Sequence, residues 1–180
     1  MVKGHIFTIA NFFSFLRMLV VWPIVVQLQR NTPQGSLNAL YLMLFAIATD
    51  FLDGFFARKF NQRSDVGRII DPLADKVAVA AVAYVLMKTR GLPSWFFALL
   101  IVRDLAILCL APILMKRTRG IPESNWYGKI AVTVIAVVFV LYTLNWQPWN
   151  LWALYVSLIF LVLSGWSYLQ RFLQHVRRRP

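Results

Sequence analysis

The chain has 180 residues, of which 59% are hydrophobic, and its mean hydropathy is +0.63. Its 19 Lys and Arg residues outnumber its 7 Asp and Glu residues and give a formal net charge of +12. A water-soluble domain of this length does not hold so much apolar sequence, so the composition predicts an integral membrane protein. The one cysteine, Cys109, excludes an internal disulfide.

Long apolar segments follow one another along the chain, separated by short stretches rich in Gly, Pro and Asn. A helix needs about 20 residues to cross the hydrocarbon core of a bilayer. The segments reach that length, so the sequence predicts an all-α, polytopic bundle of six transmembrane helices in a single membrane domain, residues 1–180. The predicted spans cover residues 8–29, 37–58, 67–87, 93–115, 127–146 and 150–171.

Lys and Arg are distributed unequally between the two sides of this predicted bundle. Thirteen of the 19 fall at the N-terminus, between spans two and three, between spans four and five, or in the C-terminal tail. Because such residues are retained in the cytoplasm, both termini are predicted to be cytoplasmic. We expect the membrane to be a bacterial inner membrane. This bias and the attraction of anionic lipid headgroups explain the basic surplus without a nucleic-acid partner.

Five of the 7 acidic residues lie in the stretch TDFLDGFFARKFNQRSDVGRIIDPLADK, residues 49–76, and four of these form two pairs, one near the end of the second span and one near the start of the third. Asp50 and Asp53 are three residues apart, and Asp71 and Asp75 are four apart. These separations place side chains on one face of a helix. The short polar connection predicts that the two spans are antiparallel neighbours, so the four carboxylates can converge on the cytoplasmic side.

Four converging carboxylates raise one another's pKa unless cations lie among them. Carboxylate oxygens are hard ligands that suit Mg²⁺, Mn²⁺ or Ca²⁺, and two divalent cations would neutralise four carboxylates. Two metals can clamp a diphosphate and stabilise charge on its leaving group. Arg58 can pair with phosphate, Gly54 lets a ligand approach the backbone, and Gly67 opens a helix whose N–H groups favour anions. A cap or a solvated face would explain any one aspartate, but not four at matched spacing.

The acidic stretch is similar to the signature of the CDP-alcohol phosphatidyltransferase family. That signature reads D-x2-D-G-x2-A-R-x8-G-x3-D-x3-D, and all of its fixed positions match. The six-span length also resembles the core fold of the family, so the resemblance covers essentially the whole chain. The matching residues are Asp50, Asp53, Gly54, Ala57, Arg58, Gly67, Asp71 and Asp75.

The resemblance implies a reaction in which an alcohol displaces CMP from CDP-diacylglycerol. Asp50, Asp53 and Asp71 would hold two divalent cations, Mg²⁺ or Mn²⁺. Asp75 would contact the second metal and act as general base on the acceptor hydroxyl. A homodimer in the lipid bilayer is a further expectation from the family. The residues expected to contact the CDP moiety are Gly54, Arg58, Ser64 and Gly67.

The first span carries a second, weaker similarity. Family members often begin this span with P-N-x-x-T-x-x-R, and here Asn11, Ser14 and Arg17 keep the polar positions while Ala10 replaces the proline. The resemblance implies that these three residues lie on the nucleotide side of the site. The alternative is a juxtamembrane interface in which Arg17 extends to the lipid headgroups.

The acceptor is predicted from the fourth and fifth spans. Arg103 lies mid-span, where an ionisable residue is a functional candidate. Arg103-Asp104 and Gly128-Lys129 resemble the phosphate-binding residues of bacterial phosphatidylglycerophosphate synthases, so Arg103 and Lys129 would bind glycerol 3-phosphate. Adjacent helix residues do not face each other, so Asp104 is not expected to neutralise Arg103, which leaves room for an anion.

Other functions stay open from the sequence. Those synthases often carry a second arginine where this chain has Ala111, and without it the Arg-Asp pair also resembles the cardiolipin synthases, whose acceptor is phosphatidylglycerol. Arg103 could instead pair structurally with a carboxylate of the bundle. An intramembrane prenyltransferase also uses Asp-rich motifs, but with different spacing and usually in a longer bundle. A small cation transporter would be expected to show inverted repeats or broken helices.

Overall fold

The structure is a computed structural model that describes residues 9–60, 67–118 and 126–177. Within these ranges the chain forms six helices and no strand, which confirms the all-α class. Each predicted span overlaps one helix. The helices are α1 (Ile9–Gln29), α2 (Pro33–Phe60), α3 (Gly67–Thr89), α4 (Ser94–Thr118), α5 (Trp126–Thr143) and α6 (Trp149–Arg177).

The three inter-helix turns that the structure describes share one backbone pattern. In each turn, one residue adopts a left-handed backbone conformation, with φ between 50° and 72°, and a proline follows. The left-handed residue ends the first helix, and the proline cannot continue it. Asn and Gly tolerate this conformation best. The pairs are Asn31 with Pro33, Gly91 with Pro93, and Asn145 with Pro148.

The chain divides into two compact units, residues 1–100 and residues 101–180, and α4 passes from one to the other. In unit 1, α1 packs against both α2 and α3. The buried face of α1 contains residues four apart, Val20, Ile24 and Leu28. The prediction of a single membrane domain is not tested by this division and stays a prediction.

The turn between α1 and α2 is tightly built. Thr32 caps α2, because its Oγ1 atom accepts a hydrogen bond of 3.0 Å from the backbone N–H of Gly35. Pro33 occupies the first helical position, where its missing N–H costs nothing. A Cβ atom added to Gly35 would lie 2.6 Å from the backbone oxygen of Gln27. The close approach of the two helices therefore requires glycine at this position.

The end of α3 is fastened to the start of α2. The Nη2 atom of Arg90 donates a hydrogen bond of 2.7 Å to Oγ of Ser36. That hydroxyl in turn donates to the backbone oxygen of Thr32 at 3.2 Å. We call this arrangement the α2–α3 junction. It joins residues that are 54 positions apart in the sequence.

Unit 2 is built around the contact between α5 and α6. Both helices bury residues at alternating separations of three and four, the spacing of helices that pack side by side. The small side chains of buried serines on α6 let the two helices pack closely. The hydroxyl of Ser157 donates a hydrogen bond of 2.6 Å to the backbone oxygen of Leu154. The buried residues with this spacing are Ala131, Ile135, Val138 and Tyr142 on α5, and Leu154, Ser157, Leu161 and Ser164 on α6; Phe139, Thr143 and Asn150 are also buried.

One helix within the described residues meets a length and hydropathy test for a membrane span. This segment of α6, Trp149–Ser167, has 19 residues and a mean hydropathy of 1.5. Two shorter apolar helical segments are Met18–Gln29 and Gly128–Thr143. The prediction of six helices is confirmed among the described residues, and the prediction that all six cross a membrane stays a prediction.

Two glycines give a matched test of the packing in unit 1. Gly35→Ala is expected to destabilise the fold by about 1–3 kcal/mol, since its Cβ would collide with rigid backbone. Gly165→Ala meets nothing within 4 Å and should be neutral or stabilise α6 by up to about 1 kcal/mol. Thermal unfolding of the detergent-purified variants measures both effects. Equal shifts in Tm for the two variants would contradict the close approach at Gly35.

Candidate functional site

The four signature aspartates lie on two continuous helices. Asp50 and Asp53 are on α2, and Asp71 and Asp75 are on α3. Each pair therefore has the helical spacing that the sequence predicted. Gly67 is the first residue of α3, also as predicted. The backbone thus provides one helical face for each pair of carboxylates.

The α2–α3 junction is a reference point for the positions of these aspartates along their helices. From the junction, α2 runs toward the first pair and α3 runs back to the second. At a rise of about 1.5 Å per residue, Asp50 and Asp75 each lie about 22 Å from the junction along their helices. Asp53 and Asp71 lie about 26 and 28 Å from it. The two pairs therefore lie at similar distances from the junction, each measured along its own helix.

The start of α1 lies toward the same end of unit 1. The end of α1 lies beside the start of α2, where the backbone of Gln27 closely approaches Gly35. Since α1 is a continuous helix that packs against both α2 and α3, Asn11, Ser14 and Arg17 lie toward its opposite end. Asn11 is about 24 Å from Gln27 along the helix. The fold thus brings the predicted nucleotide-side positions toward the level of the aspartates.

Most side chains of the predicted site lie outside the described residues. Among the side chains that the structure does describe, no group of three or more His, Cys, Asp or Glu could hold a metal ion. Three of the four aspartates do not belong to that set, so the two-metal prediction is untested. The predicted site residues whose side chains lie outside the description are Asn11, Ser14, Arg17, Asp50, Asp53, Gly54, Arg58, Ser64, Gly67 and Asp71.

Asp75 is the signature aspartate whose side chain the structure describes. It is half-buried, and its Oδ1 atom is shielded from solvent. A carboxylate shielded from water requires compensation by other groups or by a cation. Asp75 and the adjacent Lys76 both interact with other groups of the chain. The carboxylate of Asp75 is therefore partly enclosed by other groups of the chain, which suits a chemical role.

Arg103 on α4 forms an ion pair with the next residue, Asp104. The Nη1 atom of Arg103 lies 3.0 Å from Oδ1 of Asp104, and the two side chains are 11% and 10% exposed. The expectation that Asp104 would not reach Arg103 is therefore wrong. The physical reason is side-chain length, because the arginine is long enough to bend around the helix toward its neighbour. Arg103 therefore pairs with a carboxylate of its own helix, and its predicted role in binding the acceptor stays a prediction.

The pair does not use all the donors of the guanidinium. The Nε atom of Arg103 is buried and has no hydrogen-bond partner among the described residues. An unsatisfied donor on a buried cation is costly, so an acceptor oxygen at this position would be favourable. The sequence reasoning gave Asp104 no role, although its place beside Arg103 was a usable signal.

Lys129, the second residue predicted to bind the acceptor, lies in the first turns of α5. Its side chain is exposed, and its Nζ atom lies 5.5 Å from the centre of the Trp126 ring. Trp126 is itself 75% exposed. An ammonium group above an aromatic ring is stabilised and partly oriented by the ring's negative face. Lys129 is thus an accessible cation in unit 2, the unit that also holds Arg103.

Comparison with known proteins agrees with the signature. Residues 7–163 match the family model for CDP-alcohol phosphatidyltransferase. The chain is 33% identical over 148 residues to the CDP-diacylglycerol--glycerol-3-phosphate 3-phosphatidyltransferase of Bacillus subtilis (strain 168). This match covers 78% of the chain and 76% of the relative. It is 35% identical over 130 residues to the protein of the same name from Aquifex aeolicus (strain VF5), with 71% of each covered.

A relative with a different name is similar to the same degree. The chain is 30% identical over 131 residues to a Streptomyces coelicolor protein named cardiolipin synthase (CMP-forming). This match covers 71% of the chain and 60% of the relative. The two names share the family and differ in the acceptor, so similarity alone does not choose the acceptor.

Proposed function

Because the chain belongs to the CDP-alcohol phosphatidyltransferase family, we propose that it transfers the phosphatidyl group of CDP-diacylglycerol to glycerol 3-phosphate and releases CMP. The observation that carries this proposal is the complete family signature, with both aspartate pairs on continuous helices. Relatives at 33% and 35% identity have names that state this activity. Family membership argues against the prenyltransferase and transporter alternatives.

The chemistry is a displacement at phosphorus. The acceptor hydroxyl oxygen forms a bond to the phosphorus that carries diacylglycerol, and the bond from that phosphorus to the oxygen of CMP breaks. Asp75 takes the hydroxyl proton as general base, which requires an ionised carboxylate within hydrogen-bonding reach of the acceptor. Its half-buried position on α3 suits a base that must be oriented and partly shielded from water.

Asp50, Asp53, Asp71 and Asp75 supply the oxygen donors for two divalent cations, Mg²⁺ or Mn²⁺. Carboxylates at matched helical spacing fit such ions, because hard cations prefer oxygen ligands. Bound there, the cations would orient the diphosphate and stabilise charge on the departing CMP. Neutralisation by the cations also explains why a mostly apolar chain can keep four carboxylates together.

The CDP moiety is bound beside these aspartates by residues of unit 1. Gly54 and Gly67 allow the ligand to approach the helix backbone, and Arg58 pairs with its phosphates. The start of α1 lies toward the same level of the unit, which supports a contribution from its polar residues. The proposed CDP-lipid contacts are Asn11, Ser14, Arg17, Gly54, Arg58, Ser64 and Gly67.

The proposed location is a bacterial inner membrane, with both termini and the aspartates on the cytoplasmic side and a homodimer as the working state. The excess of Lys and Arg in alternate connections supports this orientation. The outward face of α6 is apolar and carries exposed tryptophans near both ends, Trp149, Trp152 and Trp166. Their separation of about 21–26 Å along the helix suits the two interfaces of a bilayer.

The second candidate acceptor is phosphatidylglycerol, as in a cardiolipin synthase. Two observations favour it: the Streptomyces relative of that name and the Arg103–Asp104 ion pair. The ion pair lowers the net positive charge available to a phosphate monoester. Glycerol 3-phosphate remains the first choice, because Lys129 adds an accessible second cation and Arg103 keeps an unsatisfied donor.

Metal dependence tests the aspartate cluster. With CDP-diacylglycerol and acceptor, CMP release by the purified protein should stop in EDTA and return with excess Mg²⁺ or Mn²⁺. Asp50→Asn should abolish it, whereas Asp65→Asn, a change in the same stretch outside the signature, should leave it near wild type. Full turnover in the chelator would refute the two-metal site.

The general base is tested by separating binding from turnover. Asp75→Asn should abolish CMP release while largely sparing CDP-diacylglycerol binding, since asparagine keeps one oxygen ligand but cannot accept the proton. Asp50→Asn should damage both, because Asp50 acts through metal alone. Nucleotide binding and rate are measured separately for each variant. A near wild-type rate for Asp75→Asn would place the base elsewhere.

The acceptor is tested by offering glycerol 3-phosphate and phosphatidylglycerol in parallel. Arg103→Ala should raise the acceptor KM and lower kcat/KM about ten- to a hundredfold, as expected for one lost charge-assisted hydrogen bond. The KM for CDP-diacylglycerol should change little. Arg30→Ala, an exposed arginine in unit 1, serves as the control. Turnover with phosphatidylglycerol alone would select the cardiolipin synthase alternative.

A further inference from the structure

The Arg103–Asp104 ion pair joins two adjacent residues of α4, whose side chains do not normally face each other. Successive residues on an α-helix project about 100° apart, so the arginine must bend around α4 to meet its neighbour. It does so through one terminal nitrogen, Nη1, at 3.0 Å from Oδ1 of Asp104. The pair therefore fixes one edge of the guanidinium against α4.

Fixing one edge of a guanidinium also fixes its other donors. The group is planar, so a bond at Nη1 restricts the direction in which the Nε hydrogen points. That Nε atom is buried without a hydrogen-bond partner among the described residues. Both side chains are almost entirely enclosed, at 11% and 10% exposure, so bulk water does not compensate the donor. An oriented, unsatisfied donor on a buried cation is arranged to receive an anionic oxygen.

We propose that Asp104 is a positioning residue for the acceptor, which holds Arg103 so that its free donor edge meets the acceptor's phosphate. This inference rests on the proposed function, in which Arg103 binds that phosphate. Asp104 does not touch the acceptor in this account. It acts through Arg103, by orienting the guanidinium and by offsetting the cost of a buried cation when no acceptor is bound.

Two simpler roles for Asp104 make different predictions. If Asp104 only neutralised a buried charge, its removal would lower stability and leave the acceptor KM unchanged. If Asp104 competed with the phosphate for Arg103, its removal would lower the acceptor KM. A positioning role predicts a higher acceptor KM, and it predicts this effect only while Arg103 is present.

A double-mutant cycle with Arg103→Ala, Asp104→Asn and the double variant separates these roles. Asparagine keeps the size of aspartate and loses its charge, so the guanidinium is held less firmly. We expect Asp104→Asn alone to raise the acceptor KM about tenfold, as for a weakened charge-assisted bond, with the KM for CDP-diacylglycerol unchanged. In the Arg103→Ala background, the same change should leave the acceptor KM unaltered.

Three outcomes would overturn the positioning role: an equal rise in acceptor KM in both backgrounds, a fall in acceptor KM, or a loss of Tm with no change in acceptor KM. Asp104→Glu provides the second variant if Asp104→Asn does not fold. It keeps the charge and moves it by one methylene, so it should preserve Tm and still raise the acceptor KM. An unchanged KM for Asp104→Glu in that case would also overturn the proposal.

The wild-type protein separates this inference from the proposed function. If it releases CMP with phosphatidylglycerol and not with glycerol 3-phosphate, the proposed acceptor is wrong, and the same cycle measured with phosphatidylglycerol still decides the role of Asp104. If wild type turns over glycerol 3-phosphate and Asp104→Asn has no KM effect, the positioning role alone is wrong. A wild type that transfers to neither acceptor overturns both.

Discussion

The packing of α1 against both α2 and α3 is the contact on which the arrangement of unit 1 depends. At the turn between α1 and α2, Gly35 lets the two helices approach closely. Beside this turn, a hydrogen bond of 2.7 Å from Arg90 to Ser36 fastens the end of α3 to the start of α2. Because helices have a fixed rise per residue, Asp50 and Asp75 each lie about 22 Å from this bond along their helices.

Much of this fold could be predicted from the sequence, because its signals are local. The turns are marked by Asn or Gly followed by Pro, and the structure uses those residues for the expected reasons, a left-handed backbone and a missing N–H. The spacing of the aspartates required only that α2 and α3 be continuous, which they are. The chemistry predicted for the site follows from the same stretch, because carboxylates in an apolar chain need cations, and it stays a prediction.

Features that depend on side-chain reach or on distant contacts could not be predicted in the same way. Helical spacing alone excluded a contact between Arg103 and Asp104, yet the arginine bends around α4 to make one. The partner of Arg90 is 54 residues away, and no local pattern indicates it. The need for glycine at position 35 arises from the backbone of Gln27, in another helix. Each of these depends on the packing that only the folded chain defines.

Four aspartates on α2 and α3 are proposed to hold two divalent cations for a diphosphate. Electron paramagnetic resonance of added Mn²⁺, with the detergent-purified protein and saturating CDP-diacylglycerol, tests this most directly. We expect two bound Mn²⁺ per chain, magnetically coupled to each other, and loss of that coupling in the Asp71→Asn variant. Absence of saturable Mn²⁺ binding, or the same coupled signal in Asp71→Asn, would contradict the two-metal site.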